Sequence, residues 1–388
     1  MSYGATDDFE AATESAALVE LLRRRIHAEG AITFHDFMET ALYHPQLGYY
    51  VTREPMGRQG DYLTSPEVHP IFGALVAKQQ AQCWELMGRP APFDVVEQGA
   101  GTGLLARDIL RWAQTRAPDF AGALHYRIVE ISAALSRRQE ETLAQLSPPP
   151  NVEWLDHLPD SIEGCLLSNE LIDAFPVHRV TQTNGNLLEV YVSHDGGRFE
   201  AQLRPLSTNG IARYFADLGL SPGEGCVAEV NLQAVDWMAQ AARSLGRGFV
   251  LTFDYGYPAR ELYAPWRRDG TLLCFYRHNP STDPYARIGK QDITAHVDFT
   301  TLMRAGEGHG LATAGLTTQA RFLASLGIGA GVDSVARESP DALEEYYARR
   351  RAVQELIDPA GLGRIRVLAQ RKGVEPGDLL GFAAGDDA

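Results

Sequence analysis

The chain has 388 residues, 45% of them hydrophobic and 22% charged, enough to bury a large core in one elaborated domain or two to three modest ones; a disordered or fibrous chain is excluded. A net charge of −15, with basic residues scattered and no run longer than three, repels a long phosphate backbone, so nucleic acid is not expected as a partner. Cys83, Cys165, Cys226 and Cys274 stand far apart, with no CxxC pair and no His ligand cluster, which argues against structural zinc and a disulfide scaffold and suits a reducing compartment.

The start is acidic, with Asp7, Asp8, Glu10 and Glu14 ahead of the first basic residue, Arg23. That is the opposite of a secretory n-region or an Arg-rich transit peptide, and a cytoplasmic location is expected. Leu18, Leu22 and Ile26 follow helical spacing, and a second short helix is expected around Phe34, Phe37, Met38 and Leu42. The polar segment from Arg53 to Ser65 lacks periodicity and reads as a long loop. Ser65-Pro66-Glu67 then gives an N-cap, a Pro at the first helical position and a first-turn acid, opening one helix to about Met87.

From Phe93 strands alternate with helices, the pattern of a parallel sheet covered on both faces. Seven strands are expected: Phe93 to Glu97, Tyr126 to Glu130, Val152 to Leu155, Cys165 to Ser168, Gly248 to Phe253, Leu311 to Gly315 and Ile365 to Gln370. Helices are expected at Leu104 to Thr115, Ala133 to Gln145, Leu232 to Leu245 and Pro340 to Leu356. The fold class is therefore α/β, a Rossmann-like and mostly parallel seven-stranded sheet, with added N-terminal helices and an insertion between the fourth and fifth strands. Within the insertion, Leu187 to Val192 and Phe199 to Leu203 alternate around His194-Asp195-Gly196-Gly197 as a hairpin would. Tyr255 to Phe299 reads as a long irregular connection of the kind that carries function. The end, Ala383 to Ala388, is expected to be disordered. No apolar run approaches the roughly 18 residues that a bilayer span needs.

The first expected strand runs into Glu97-Gln98-Gly99-Ala100-Gly101-Thr102-Gly103 and then an amphipathic helix. Glycine lets a backbone turn at positive φ and lets a ligand lie against the main chain. A dinucleotide fingerprint requires a third glycine where this chain has Leu104; here it stands one residue earlier, at Gly103. GxGxG suits S-adenosylmethionine, which has no pyrophosphate to place at the helix N-terminus. Glu97 is placed to bind the donor's amino group, and Glu130, at the end of the second strand, to accept from both ribose hydroxyls. Trp154 and Leu155, ending the third strand, would flank adenine.

The fourth strand ends in Ser168-Asn169-Glu170-Leu171-Ile172-Asp173. On a helical turn Glu170 and Asp173 would share one face and grip a guanidinium fork. Arginine, with a pKa above about 12.5, cannot wait for its neutral form at pH 7. Two carboxylates can instead aim one nitrogen at the methyl carbon while the proton leaves, and no metal is required. Asp254-Tyr255-Gly256, His296 and Asp298 are further residues that would line such a site. A small-molecule methyltransferase and a non-catalytic assembly protein that keeps the donor fold stay open as alternatives; a nicotinamide oxidoreductase is disfavoured by Leu104.

Gly60-Asp61-Tyr62-Leu63-Thr64-Ser65-Pro66-Glu67, VVEQGAGTG from Val95, LSNELIDAFPV from Leu167, TFDYGY from Thr252 and GKQDITAHVDF from Gly289 together resemble the MidA-like methyltransferases, in order over most of the chain. These include a mitochondrial complex I assembly factor with protein arginine methyltransferase activity. The resemblance implies a class I methyltransferase fold, S-adenosylmethionine as donor with S-adenosylhomocysteine as product, and a protein arginine acceptor methylated symmetrically, with a respiratory complex I subunit as a candidate. It also implies that Asp61, Thr64 and Ser65 close over the donor. The acidic leader reads as that of a bacterial-type relative. The expected divisions are 1–90, a helical extension with the donor-covering loop; 91–174, the first part of the core; 175–245, a substrate-facing insertion; and 246–388, the rest of the core. Donor-binding candidates are Asp61, Thr64, Ser65, Glu97, Gly99, Gly101, Gly103, Glu130, Trp154, Leu155 and Asn169. Catalytic candidates are Glu170 and Asp173.

Overall fold

The computed structural model describes residues 15–52, 61, 63–195, 197–331 and 340–383. The acidic start, most of the loop expected from Arg53, Gly196 of the expected hairpin turn and the last five residues lie outside the described residues. The described residues fall into two compact units, one drawn from Met1–Tyr62, Ala174–Gln233 and Ala259–His296, the other from Leu63–Asp173, Ala234–Pro258 and Val297–Ala388.

The second unit is built on the sheet. Its strands are β1 (Phe93–Gln98), β2 (Leu124–Val129), β3 (Val152–Leu155), β4 (Ile162–Asn169), β5 (Leu245–Asp254), β6 (Ala312–Thr318) and β7 (Arg366–Lys372), in the spatial order β6-β7-β5-β4-β1-β2-β3. Strands β1 to β5 pair in parallel, and β7 runs antiparallel between β5 and β6. All seven expected strands are present, with ends displaced by no more than three residues. Near-continuous burial along β1, β4 and β5 is what helices on both faces impose on a parallel sheet. Asp94, buried at the amino end of β1, is neutralised by Arg127 at 2.6 Å and takes the Glu163 amide at 3.0 Å.

The single helix expected from Ser65 to Met87 is two helices, Ser65–Val68 and Ile71–Leu86. Pro70 cannot sit inside a helix, and His69 before it takes an extended φ of −167°. The cap is Thr64 rather than Ser65, and the Glu67 carboxylate returns to the Thr64 amide at 2.9 Å.

The first unit carries the expected helices as Ala16–Glu29 and Phe34–Tyr43, which bury Leu18, Leu22, Ile26, Phe34, Phe37, Met38 and Leu42. It also holds a five-stranded antiparallel sheet that includes the expected hairpin as Asn186–Asp195 with Arg198–Arg204. A second hairpin turns through Asn184-Gly185, both at positive φ, the residue pair that favours a two-residue turn. The stretch read as irregular from Tyr255 to Phe299 contains a small sheet, Leu273–Tyr276, Asn279–Ser281 and Asp292–Thr294. Strands of three or four residues are too short to show an alternation in sequence.

Candidate donor and acceptor site

Strand β1 has β2 on one side and β4 on the other, so the sheet's switch point lies at the carboxyl ends of β1 and β4, where ligands bind in open parallel sheets. The glycine turn leaves β1 at this point. Gly99, Gly101 and Gly103 have φ of +75°, +54° and +78°, and a Cβ on Gly99 would stand 2.9 Å from Leu171 Cδ1. The positive φ of the bend is what calls for glycine, and a side chain at Gly99 would also displace the Leu171 methyl.

The turn is locked from the helix Ala133–Leu143. The buried Gln139 donates from Nε2 to Gly101 O at 2.9 Å and to Glu130 Oε2 at 3.1 Å, and accepts the Trp154 indole N–H at 3.0 Å. Thr142 Oγ1 donates to Thr102 O at 2.8 Å. One side chain thus ties the glycine turn, the second-strand acid and the third-strand tryptophan together. Sequence reasoning missed Gln139; its only trace was a polar residue on an otherwise helical pattern.

Glu130 is oriented by the Ser132 amide at 2.8 Å as well as by Gln139, and burial raises its pKa. Its own amide donates to Leu155 O at 2.9 Å, joining the ends of β2 and β3. The next residue, Ile131, is 81% exposed, an uncovered apolar side chain beside the acid. Glu97 is buried, accepts the Tyr126 hydroxyl at 2.6 Å, and is pushed up to about 7 by burial, against the lowering effect of that bond. At the end of β4, Asn169 Nδ2 donates to Glu170 at 3.2 Å while its Oδ1 is buried with no partner. An acceptor oxygen left over beside a glycine cradle fits a ligand that brings N–H groups. Cradle, strand-end acid and orphan acceptor together fit S-adenosylmethionine.

Residues 171–173 do not form the expected helical turn. Glu170 takes φ +49°, its amide donates to Phe253 O at 2.8 Å, and the chain leaves β4 in an irregular bend. The reason is Asp254, buried at the end of the neighbouring β5. Its carboxylate accepts the Ile172 amide of this segment and the Tyr255 amide at its own strand end, each at 2.8 Å, and so pins the segment to the end of β5 as a bend. The charges of Glu170 and Asp173 both reach Tyr255. Tyr255 is held well above the ordinary tyrosine pKa, first by burial and then by the charges of Glu170 and Asp173, and the Arg364 guanidinium lies 5.5 Å from its ring centroid. Glu170 accepts the Ser65 amide at 3.2 Å. Burial pushes it up to about 8, with the negative charges of Asp254 and Glu67 adding to the rise. Asp254 is raised by burial to about 7.

Of the other expected residues, Thr64 and Ser65 share this unit, and Ser65 Oγ donates to the buried Gln319 at 2.9 Å. Asp61 belongs to the other unit, where its carboxylate accepts the Tyr49 hydroxyl at 2.8 Å and the Arg277 amide at 2.7 Å. His296 is also in that unit, its amide on Thr271 Oγ1 at 3.1 Å. Asp298 caps the helix Phe299–Glu307 through the amides of Thr300 and Thr301. The four cysteines are free and buried. Among the described residues, no helix is long and apolar enough to cross a membrane.

Comparison with known proteins agrees with this geometry. The family model described as "Putative S-adenosyl-L-methionine-dependent methyltransferase" matches residues 75–317. The mitochondrial protein arginine methyltransferase NDUFAF7 homolog of Drosophila melanogaster is 31% identical over 92% of this chain and 85% of its own. The protein arginine methyltransferase NDUFAF7 of Mus musculus is 32% identical over 81% and 76%. The crystal structure of a Burkholderia thailandensis protein bound to S-adenosyl-homocysteine superposes with a TM-score of 0.89 at 37% identity, covering 99% of both chains. The chain belongs to this family of S-adenosylmethionine-dependent methyltransferases.

Proposed function

We propose that the methyl acceptor is an arginine side chain of a protein. The observation that carries this reading is the acidic bend beside the donor turn: Leu171, between Glu170 and Asp173, packs on Gly99, Glu170 is buried on the Ser65 amide, and Asp254 holds the Ile172 amide. The relatives named as protein arginine methyltransferases support it. A respiratory complex I subunit is the first acceptor to test.

When bound, the donor supplies a methyl group on a sulfonium. Gly99, Gly101 and Gly103 hold the main chain against it, Glu130 takes the ribose hydroxyls with Ile131 covering the nucleoside, and Glu97 and the Asn169 oxygen receive the amino end. On the acceptor side, Glu170 and Asp173 orient a guanidinium fork. The guanidinium must lose one proton as its nitrogen gains the methyl group. A carboxyl near neutrality serves both needs: entry of the cation draws Glu170 into its charged form, and that carboxylate then accepts the departing proton.

The test uses the purified protein, isotopically labelled donor and a cell extract containing candidate acceptors, followed by mass spectrometry. Methylarginine should appear with the parent protein and fall sharply with Glu170→Gln. Labelling of other residues, or an arginine signal identical with and without the enzyme, would refute the acceptor assignment.

A further inference from the structure

The hairpin from Leu273–Tyr276 to Asn279–Ser281 turns through just two residues, Arg277 and His278. Both lie at positive φ, +48° and +61°, as the favoured two-residue turn requires. At the equivalent bend elsewhere in the same unit the chain has Asn184-Gly185, which adopt that backbone readily. Arg and His do not, and Arg287, at φ +50°, is a third bulky residue in the same strained region.

The buried Asp61 holds the bend in place. Its Oδ1 accepts the Arg277 amide at 2.7 Å, its carbonyl accepts the His278 amide at 2.9 Å, and the Tyr49 hydroxyl fixes Oδ2 at 2.8 Å. As a result the Arg277 and Arg287 guanidinium carbons lie 5.3 and 5.1 Å from the Tyr276 ring centroid. Arg277, His278 and Arg287 are all exposed. Among the described residues, no carboxylate forms an ion pair with any of them. A chain of net charge −15 has carboxylates to spare, yet it leaves this cationic tip unmatched and pays for its geometry in strain.

We propose that this strained tip is a docking site for a carboxylate-rich segment of the protein to be methylated; the inference rests on a protein acceptor. Guanidinium groups already stacked on an aromatic ring lose little freedom on binding and match carboxylates with paired hydrogen bonds. An acidic stretch near the target arginine would be captured here, whereas the remaining acidic surface would repel it and so favour one register.

The probe is a fluorescent hexaglutamate peptide, followed by anisotropy with the full chain at low and physiological salt. The parent should bind, more weakly as salt rises. The double substitution Arg277→Ala with Arg287→Ala should weaken binding by about tenfold or more, and Arg24→Ala, at an exposed site elsewhere, should leave it unchanged. Arg277→Gly separates this role from misfolding: it relieves the positive φ, so the melting temperature should rise while peptide binding falls. Equal binding by the double variant, no binding by the parent, or more effective displacement by oligouridylate or free glutamate at matched charge would overturn the proposal. Calorimetric donor binding is measured in parallel. Its absence from the parent would sink the methyltransferase reading while leaving the peptide result interpretable.

Discussion

Glu130 and Glu170 are both carboxylates on bends that leave the sheet, and the duties we propose for them are opposite. Glu130 is held by Ser132 and Gln139, so Glu130→Ala should weaken donor affinity by roughly 10- to 100-fold through loss of charge-assisted bonds to the ribose, as calorimetry would show. Glu170→Gln keeps an oxygen for the Ser65 amide but removes the charge. Turnover should fall by about 100-fold while donor affinity stays within a few-fold of the parent; comparing initial rates with calorimetric affinity checks this. At this scale the sequence was informative where chemistry coincides with a spaced motif, as in Gly99, Gly101, Gly103 and the two strand-end acids. It was silent on Gln139, because a glutamine that reaches three strand ends from a helix leaves no local pattern.

Asp254 decides how the element after β4 is shaped. Glu170 to Asp173 carries an i, i+3 acid pair suited to a helical turn, and local spacing alone supports that reading. A carboxylate from β5, over eighty residues away in sequence, takes the Ile172 amide and pins the segment as a bend. Asp254→Asn puts an NH2 donor where one of two carboxylate oxygens accepts a backbone amide. It should lower stability by about 1 to 3 kcal/mol, measured by denaturant unfolding, and it should loosen the Glu170 bend, so turnover drops more than stability alone explains. The same contrast appears before the sheet: Ser65-Pro66-Glu67 announced a helix start correctly, but Pro70 ended that helix after Val68. A long-range tertiary contact accounts for the first difference; the second was legible, since Pro70 stands five residues after Ser65 and a proline breaks a helix.

At the scale of the molecule, several carboxyls are buried without a cation to match them among the described residues. Glu97, Asp254 and Asp292 are pushed up to about 7 and Glu170 to about 8, in each case chiefly by burial. Folding therefore favours their protonated forms. The stabilisation is complete at the ordinary carboxylate range and is lost as pH rises through 7 to 8. The donor-free protein should melt several degrees higher at pH 6 than at pH 8.5, a trend that differential scanning calorimetry would reverse or fail to find if these groups were already ionised. The overall architecture was the most legible level, since all seven strands of the sheet could be placed from apolar runs and turn signals; the short strands around Cys274 could not. One feature of the sheet bears on how the protein is made. Strands β4 and β5 are neighbours, yet 75 residues separate Asn169 from Leu245. At about 5 to 20 residues per second, translation leaves the largely apolar edge of β4 without its partner for roughly 4 to 15 s. The nascent chain thus passes through a window in which a sticky strand is bare, and its yield in a cell should depend on whether a holding chaperone covers that edge before the rest of the core emerges.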